Sequence, residues 1–213
     1  MNSGENSDIL VVSGHYPWYP AQILRLDAKG KLRGRYINSG HFKNIDLLES
    51  GDSNDAELLF YGTNNDYNSG IIGILDPDHM NGHSPQDQFE YTPQGVGIAD
   101  HELYLRFPQL TDILPYRERS NVNSVVKIKP TEYRVRLYIG YWGIVFYTVD
   151  TNFQYLDVDF SDGFLTNYRE AFNRDIFEDY TLEELKYRLS EIEYWENGKW
   201  VVHRGVLDSL NRE

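Results

Sequence analysis

One stretch of the chain, residues 42–77, constrains the fold more than any other. Two apolar runs within it, residues 57–61 and 71–75, have the length of β-strands, and each ends at residues that favour a turn. An acidic loop precedes the first run. The nine residues between the runs, 62–70, are nearly all turn formers. The stretch therefore predicts β-strands joined by an acidic loop and by a β-hairpin with a long loop.

Strand patterns continue on both sides of this stretch. Residues 9–14 form an apolar run of the kind that fills a central strand. Residues 22–27 and 31–37 flank a turn in which Gly30 is free to take a positive φ, which predicts a hairpin. Further runs between residues 125 and 160 alternate in polarity and are separated by short turns, which predicts a β-meander.

Helix signals come only in the last third of the chain. Residues 162–172 have apolar side chains at helical spacing and Ser161 or Asp162 as an N-terminal cap. Thr181 and Glu184 form a capping box that opens another helix. Asn197-Gly198 predicts a terminal hairpin. The predicted fold class is therefore mainly β, an antiparallel meander arranged as a sandwich or an incomplete propeller, with one or two short helices in the C-terminal third.

Charge and composition exclude several classes of function. The 213 residues have a net charge of −13 and no cysteine. Because so acidic a chain repels phosphate backbones, nucleic acid is not an expected partner. No apolar run reaches the ~20 residues of a spanning helix, and the N-terminus has no export-signal pattern. We therefore expect an acidic, soluble domain that does not insert into a membrane, with its location and oligomeric state left open.

Two segments contain residues suited to ligand binding. An aromatic loop with two prolines follows the first strand, and stiff aromatic surfaces can stack against a sugar or a peptide. The turn after residue 62 has polar side chains where loops commonly bind. The candidate ligand-binding residues are His15, Tyr16, Trp18 and Tyr19 in the loop, and Asn64, Asn65 and Tyr67 in the turn. The alternative is that the aromatic rings cap one end of the core.

The order of strands and turns also resembles a known repeat. The sequence LDAKGKLRGRYINSGHFKNIDLLESGDSNDAELLFYGTNN is similar to a blade of the FG-GAP or VCBS type of β-propeller. The wider chain, including GHYPWYP, INSGHF and LDVDFSDGF, resembles a poorly characterised bacterial domain that occurs as a C-terminal module. The resemblance implies no established activity. From its length, the chain is expected to form one domain over residues 1–213, or two subdomains: 1–100 with blade-like hairpins and a long loop, and 101–213 with the meander, helices and terminal hairpin.

A calcium site is a further implication of this resemblance. The FG-GAP loop has three aspartates before an acidic strand start, and aligning that start with Glu57 places Glu49, Gly51 and Ser53 at the three positions. A shift of one residue brings in Asp52, Asn54 and Asp55 instead. The candidate metal ligands are therefore Glu49, Asp52, Asn54 and Asp55. The alternative is a solvated acidic turn, because Ca²⁺ needs six to eight oxygen ligands.

Motifs of known enzymes are absent, with no nucleophile elbow, zinc-binding HExxH or phosphate-binding loop. The nearest catalytic pattern is Asp157 and Asp159, two carboxylates on one face of a predicted strand, about 7 Å apart. The leading hypothesis is a non-enzymatic binding or interaction module of a larger bacterial protein, with a protein or carbohydrate ligand. The alternatives are a carbohydrate-active hydrolase using Asp157 and Asp159, and a structural β domain stabilised by calcium without other cofactors.

Overall fold

A computed structural model describes residues 8–14, 20–49, 56–85, 96–111, 113–114 and 119–205. The strands of this described part are β1 (Ile9–Ser13), β2 (Ala21–Leu26), β3 (Leu32–Asn38), β4 (Gly40–Glu49), β5 (Ala56–Asn64), β6 (Ser69–Leu75), β7 (Gly82–His83), β8 (Leu103–Arg106), β9 (Ser120–Lys129), β10 (Glu132–Ile139), β11 (Gly143–Asp150), β12 (Tyr155–Phe160), β13 (Ile192–Glu196) and β14 (Lys199–His203). The helices are α1 (Asp162–Phe172), α2 (Ile176–Asp179) and α3 (Leu182–Leu189), and one turn of 3-10 helix covers Gly140–Trp142.

The strands form three sheets. The outer sheet has the order β1-β2-β3-β7, the central sheet the order β14-β13-β8-β6-β5-β4, and the meander sheet the order β12-β11-β10-β9. Neighbouring strands are antiparallel, apart from a short parallel pairing of β3 with β7. The predicted fold class, mainly β with an antiparallel meander and short helices late in the chain, is confirmed.

The central sheet is sandwiched between the other two because both of its faces are apolar. Leu58 and Phe60 on β5 pack in one cluster with Tyr36 of the outer sheet. Leu59 alternates with them and packs in a second cluster with Val135 of the meander sheet. Since successive side chains of a strand point to opposite faces, a continuous apolar strand such as β5 belongs in a middle layer.

The hairpin predicted from residues 57–75 has a shorter connection than expected. β5 continues to Asn64, which pairs with Ser69 at the start of β6, so the connection has four residues rather than nine. The same strand end pairs with Gly40 on β4. Pairing on both sides satisfies the backbone groups of these residues, and this outweighs their preference for turns.

The first strand lies at a different place in its sheet from the one predicted. Residues 9–14 were expected to fill a central strand, but β1 is at the edge of the outer sheet and pairs only with β2 among the described residues. Its side chains are largely exposed, with Ile9 at 50% and Val12 at 49%. The central-strand prediction was wrong because apolar composition indicates a strand without specifying its neighbours.

Local signals in the last third are confirmed. Ser161 caps α1 by accepting a hydrogen bond from the Phe164 amide at 3.2 Å. Thr181 and Glu184 form the predicted capping box of α3. The β13–β14 turn has positive φ at Asn197 (51°) and at the glycine that follows it (78°). The sequence did not predict the four-residue helix α2.

The two halves of the chain share the central sheet. Strands β4, β5 and β6 come from residues 1–100, and β8, β13 and β14 complete the sheet from residues 101–213. The segment that resembles a propeller blade, residues 26–65, contributes β3 to the outer sheet and β4 and β5 to the central sheet, whereas a blade is one four-stranded sheet. Among the described helices, none is long and apolar enough to cross a membrane.

Candidate functional site

The predicted aromatic loop connects β1 to β2. His15, Tyr16, Trp18 and Tyr19 lie outside the described residues. The residues that flank the loop are described: β1 ends at Ser13, and Ala21 at the start of β2 pairs with Asn38. The Asn38 side-chain amide donates to the backbone oxygen of Thr63 at 3.1 Å. Ala21, which follows the loop, therefore lies at the same end of the sandwich as the predicted polar turn.

The polar turn itself is packed inside the protein. Asn64 is fully buried, and its amide nitrogen donates to the Tyr104 hydroxyl and to the Pro85 carbonyl, both at 3.1 Å. Asn65 is 8% exposed and Tyr67 is 4% exposed. Asn64 therefore connects the end of the central sheet to Tyr104 and Pro85. A role of Asn64, Asn65 and Tyr67 in ligand binding stays a prediction.

Tyr67 forms part of an aromatic clamp around a partly buried arginine. The guanidinium carbon of Arg106 lies 4.3 Å from the ring centre of Tyr67 and 4.2 Å from that of Trp200. The same guanidinium makes two hydrogen bonds to the carboxylate of Glu193, at 2.7 and 3.0 Å. The clamp joins β8 to the terminal hairpin, because Glu193 lies on β13 and Trp200 lies on β14. Stacking and the bidentate pair occupy the guanidinium, which favours a structural role over ligand binding.

The predicted calcium loop lies mostly outside the described residues. Asp52, Asn54 and Asp55 are not described, and Glu49 is described only as the last backbone position of β4, paired with Ala56. In the described part of the chain, no group of three or more acidic or histidine side chains is arranged to hold a metal ion. Calcium binding at this loop stays a prediction.

The two candidate catalytic carboxylates are engaged in separate ion pairs. Asp157 lies 2.6 Å from the Lys186 ammonium, and Asp159 lies 3.0 Å from the Arg134 guanidinium. Their side chains are 50% and 63% exposed. A general acid of a glycosidase needs an apolar pocket that keeps it protonated. This open, ion-paired arrangement does not supply one.

The structure presents an apolar surface that the sequence did not predict. Ile9 pairs with Leu26, Val11 pairs with Leu24, and Leu26 also pairs with Leu32. Side chains directly opposite each other in antiparallel strands lie on one face of the sheet. We call this set of five residues the outer face. Ile9, Val11 and Leu32 on it are 50%, 37% and 51% exposed.

Basic residues border the outer face on the β3 side. Lys29 and Lys31 are exposed at the tip of the β2–β3 hairpin, and Arg33 and Arg35 follow on β3. Arg33 lies 2.9 Å from the Asp27 carboxylate, and it is 53% exposed. We call these four cations the basic rim. Between residues 9 and 37 there are five basic residues and one acidic residue, in a chain whose net charge is −13.

Asp27 holds the hairpin tip in one conformation. Its carboxylate oxygen Oδ1 accepts hydrogen bonds from the backbone amides of Lys29 and Lys31, both at 2.9 Å. The Lys31 hydrogen bond is the largest cause that lowers the Asp27 pKa from its usual value. Gly30 completes the turn with a φ of 78°. The two lysines of the basic rim therefore lie on an ordered turn, and its two arginines lie on β3.

A groove of about 660 Å³ lies beside the hairpin tip. Its charged lining consists of three cations and three carboxylates: Arg25, Lys29, Arg33, Asp8, Asp27 and Asp78. The Arg25 guanidinium contacts both Asp8 and Asp78 and donates to the Pro77 carbonyl at 2.9 Å. Because its charges balance, the groove does not favour an anion or a cation.

Two sequence signals could have indicated this surface. The first is the concentration of basic residues between Arg25 and Arg35 in an acidic chain. The second is the run Ile9–Ser13, whose apolar residues occupy consecutive positions and so leave some of them on each face of the sheet. Neither signal shows which strands are neighbours, and the outer face exists only because β1, β2 and β3 lie side by side.

Comparison with models of protein families, with curated proteins and with solved structures found no match to this chain. The fold and surface geometry define a three-layer β sandwich with an exposed apolar face, and the function is argued from that geometry.

Proposed function

We propose that this chain is a non-enzymatic interaction module that binds another protein through the outer face and the basic rim. The observation behind the proposal is the grouping of exposed aliphatic side chains on one sheet face. Ile9, Val11 and Leu32 are each more than a third exposed, and Leu24 and Leu26 lie between them. Contiguous apolar surface on a folded domain is characteristic of interaction sites.

The rim gives the surface the composition of a protein interface. Interfaces have an apolar centre and a polar border, and arginine is enriched in them. Here the border is cationic on the side of β3, although the protein as a whole is strongly acidic. Electrostatic complementarity therefore favours a partner with acidic residues around an apolar patch.

Two further parts of the hypothesis drawn from the sequence, a larger bacterial protein and a ligand-binding aromatic loop, are compatible with this proposal. The resemblance to a bacterial C-terminal module supports a role as one domain of a larger bacterial protein. The aromatic loop, residues 15–19, is a second proposed contact for a protein or carbohydrate ligand. The hydrolase alternative has less support, since Asp157 and Asp159 are each paired with a different cation.

Site-specific photo-crosslinking in cells of the source organism tests the proposal. A benzophenone amino acid is placed at Leu32 on the outer face, and in a matched control at Val126, which is 55% exposed on the meander sheet. We expect a covalent product with one distinct protein from position 32 and its reduction by Arg33→Glu. Equal products from both positions, or none from position 32, would contradict the proposal.

A further inference from the structure

The free edge of β1 differs from the other sheet edges of the described structure. Natural proteins protect edge strands with charges, proline, bulges or short length. The other edge strands show such protection: β4 has Lys43, Asp46 and a register shift, β9 has Lys127, Lys129 and register shifts, β12 has Asp157 and Asp159, β14 has Lys199, and β7 has only two residues. β1 has five uncharged residues without proline, and it pairs with β2 without a register shift.

Side chains on both sides of β1 are available to a neighbouring strand. Val11 shares the outer face with Ile9, and it is 37% exposed. Val12 points to the opposite side, and it is 49% exposed. A strand added to this edge would therefore gain backbone hydrogen bonds and apolar contacts on both faces.

We propose that β1 pairs with β1 of a second copy of this chain, which joins two outer sheets into one continuous eight-stranded sheet. In an antiparallel pairing of the complete strands, a two-fold axis passes beside Val11. Val11 then faces its own copy, Leu10 faces Val12, and Ile9 faces Ser13. No charged residues oppose each other, which is the self-complementarity that a two-fold interface requires.

Charge at this edge does not oppose self-association. Two chains with a net charge of −13 repel each other, but the repulsion between solvent-exposed charges is screened beyond about 8–10 Å. β1 itself has no charged residue, and Arg25 on the neighbouring strand β2 contacts Asp8 and Asp78, so the pairing places no like charges directly opposite each other.

The size of the contact sets the expected affinity. Five residues of strand extend about 17 Å, and one strand pair buries less than the ~1,200 Å² of a stable interface. We therefore expect a concentration-dependent dimer with a Kd on the order of 10–100 µM. The pairing leaves the outer face uncovered and places two copies of it on one sheet, so it does not depend on the proposed partner.

A single cysteine tests the two-fold axis directly because the chain has no cysteine of its own. Directly opposed residues of antiparallel strands have Cα atoms about 4.5–5.5 Å apart, within the range that a disulfide spans. Val11→Cys is therefore expected to form a disulfide-linked dimer under mild oxidation at 100 µM. The matched control Val126→Cys replaces a valine on an edge strand of the meander sheet, which at 55% is more exposed than Val11 at 37%, and it is expected to remain largely monomeric.

Sedimentation velocity of the unmodified chain supplies a second readout. We expect the weight-average sedimentation coefficient to rise between 5 µM and 500 µM, and Val11→Lys to abolish the rise because it opposes two ammonium groups on the axis. Val126→Lys should leave it unchanged. A monomer at 500 µM, or equal crosslinking of the two cysteine variants, overturns the dimer. Crosslinking from Leu32 to another protein is unaffected by that result, so the two proposals can fail separately.

Discussion

The clamp around Arg106 allows a quantitative prediction about stability. Arg106→Lys keeps the positive charge but loses the planar group that stacks between Tyr67 and Trp200 and bonds Glu193 twice. Arg106 is 18% exposed and Glu193 is 27% exposed, so solvent screens this pair only in part.

The magnitude follows from these contacts. Each cation–π contact contributes about 0.5–1 kcal/mol or more when partly desolvated, and the second charge-assisted hydrogen bond contributes about 1 kcal/mol. Since lysine retains part of each contact, we expect Arg106→Lys to lower the free energy of unfolding by about 2 kcal/mol. For a chain of this length, that corresponds to a fall of about 4–8 °C in the thermal midpoint.

Urea unfolding followed by tryptophan fluorescence measures this change, with Arg134→Lys as the matched control. The Arg134 guanidinium also lies over a ring, 4.9 Å from the centre of Phe146, and it pairs with Asp159. That pair is 37% and 63% exposed, so we expect less than about 1 kcal/mol. A loss below 0.5 kcal/mol for Arg106→Lys, or equal losses for both variants, would refute the reasoning.

Three further predictions concern pH, calcium and close packing. Burial lowers the pKa of His101 to about 3, so near pH 6.5 the unfolded chain binds a proton at this residue and the folded chain does not. The free energy of unfolding should therefore fall by up to about 1.4 kcal/mol per pH unit as the pH decreases from 6.5. His101→Gln should flatten this slope, as measured by urea unfolding between pH 6.5 and 5. If the acidic loop binds calcium, millimolar Ca²⁺ should raise the thermal midpoint above its value in chelator, because ligand at a hundred times its Kd stabilises the folded state by about 2.7 kcal/mol. The double substitution Asp52→Ala and Asp55→Ala should remove this rise. No rise in the unmodified chain would contradict the site. A Cβ on Gly40 would lie 1.9 Å from the Thr63 backbone oxygen of the neighbouring strand, so Gly40→Ala should lower the free energy of unfolding by about 3 kcal/mol. A Cβ on Gly163 would lie 3.9 Å from Ser161 Oγ, so Gly163→Ala should change that energy by less than about 1 kcal/mol. Equal effects of the two substitutions would contradict this prediction.

Features with short-range causes could be predicted from sequence. The Thr181 capping box and the Asn197-Gly198 turn depend on residues within three or four positions of each other. Strand alternation between residues 125 and 160 is also local and predicted the meander, in which Val135 and Leu137 are buried and Arg136 between them is exposed. These predictions were confirmed because the determining interactions lie within one element or one turn.

The candidate sites were harder to predict because their environments are built from distant segments. Asn64 belongs to a sequence rich in turn formers, yet it is buried against Tyr104, 40 residues away. Asp157 and Asp159 have the spacing of a catalytic pair, but cations from other elements neutralise each of them. Residue type and spacing indicate which chemistry is available, whereas the partners of each group determine whether it is used.

The sequence by itself determined that this chain is mainly β, where most strands and turns occur, and how the late helices begin, since these depend on local backbone preferences and side-chain alternation. Only the tertiary structure decided the order of strands in the three sheets. That order made β1 an exposed edge instead of a central strand and placed Ile9, Val11 and Leu32 on one open face. It also brought Arg106 between rings from residues 67 and 200. Pairing between distant strands depends on the packing of the whole molecule, so a local sequence pattern does not specify it.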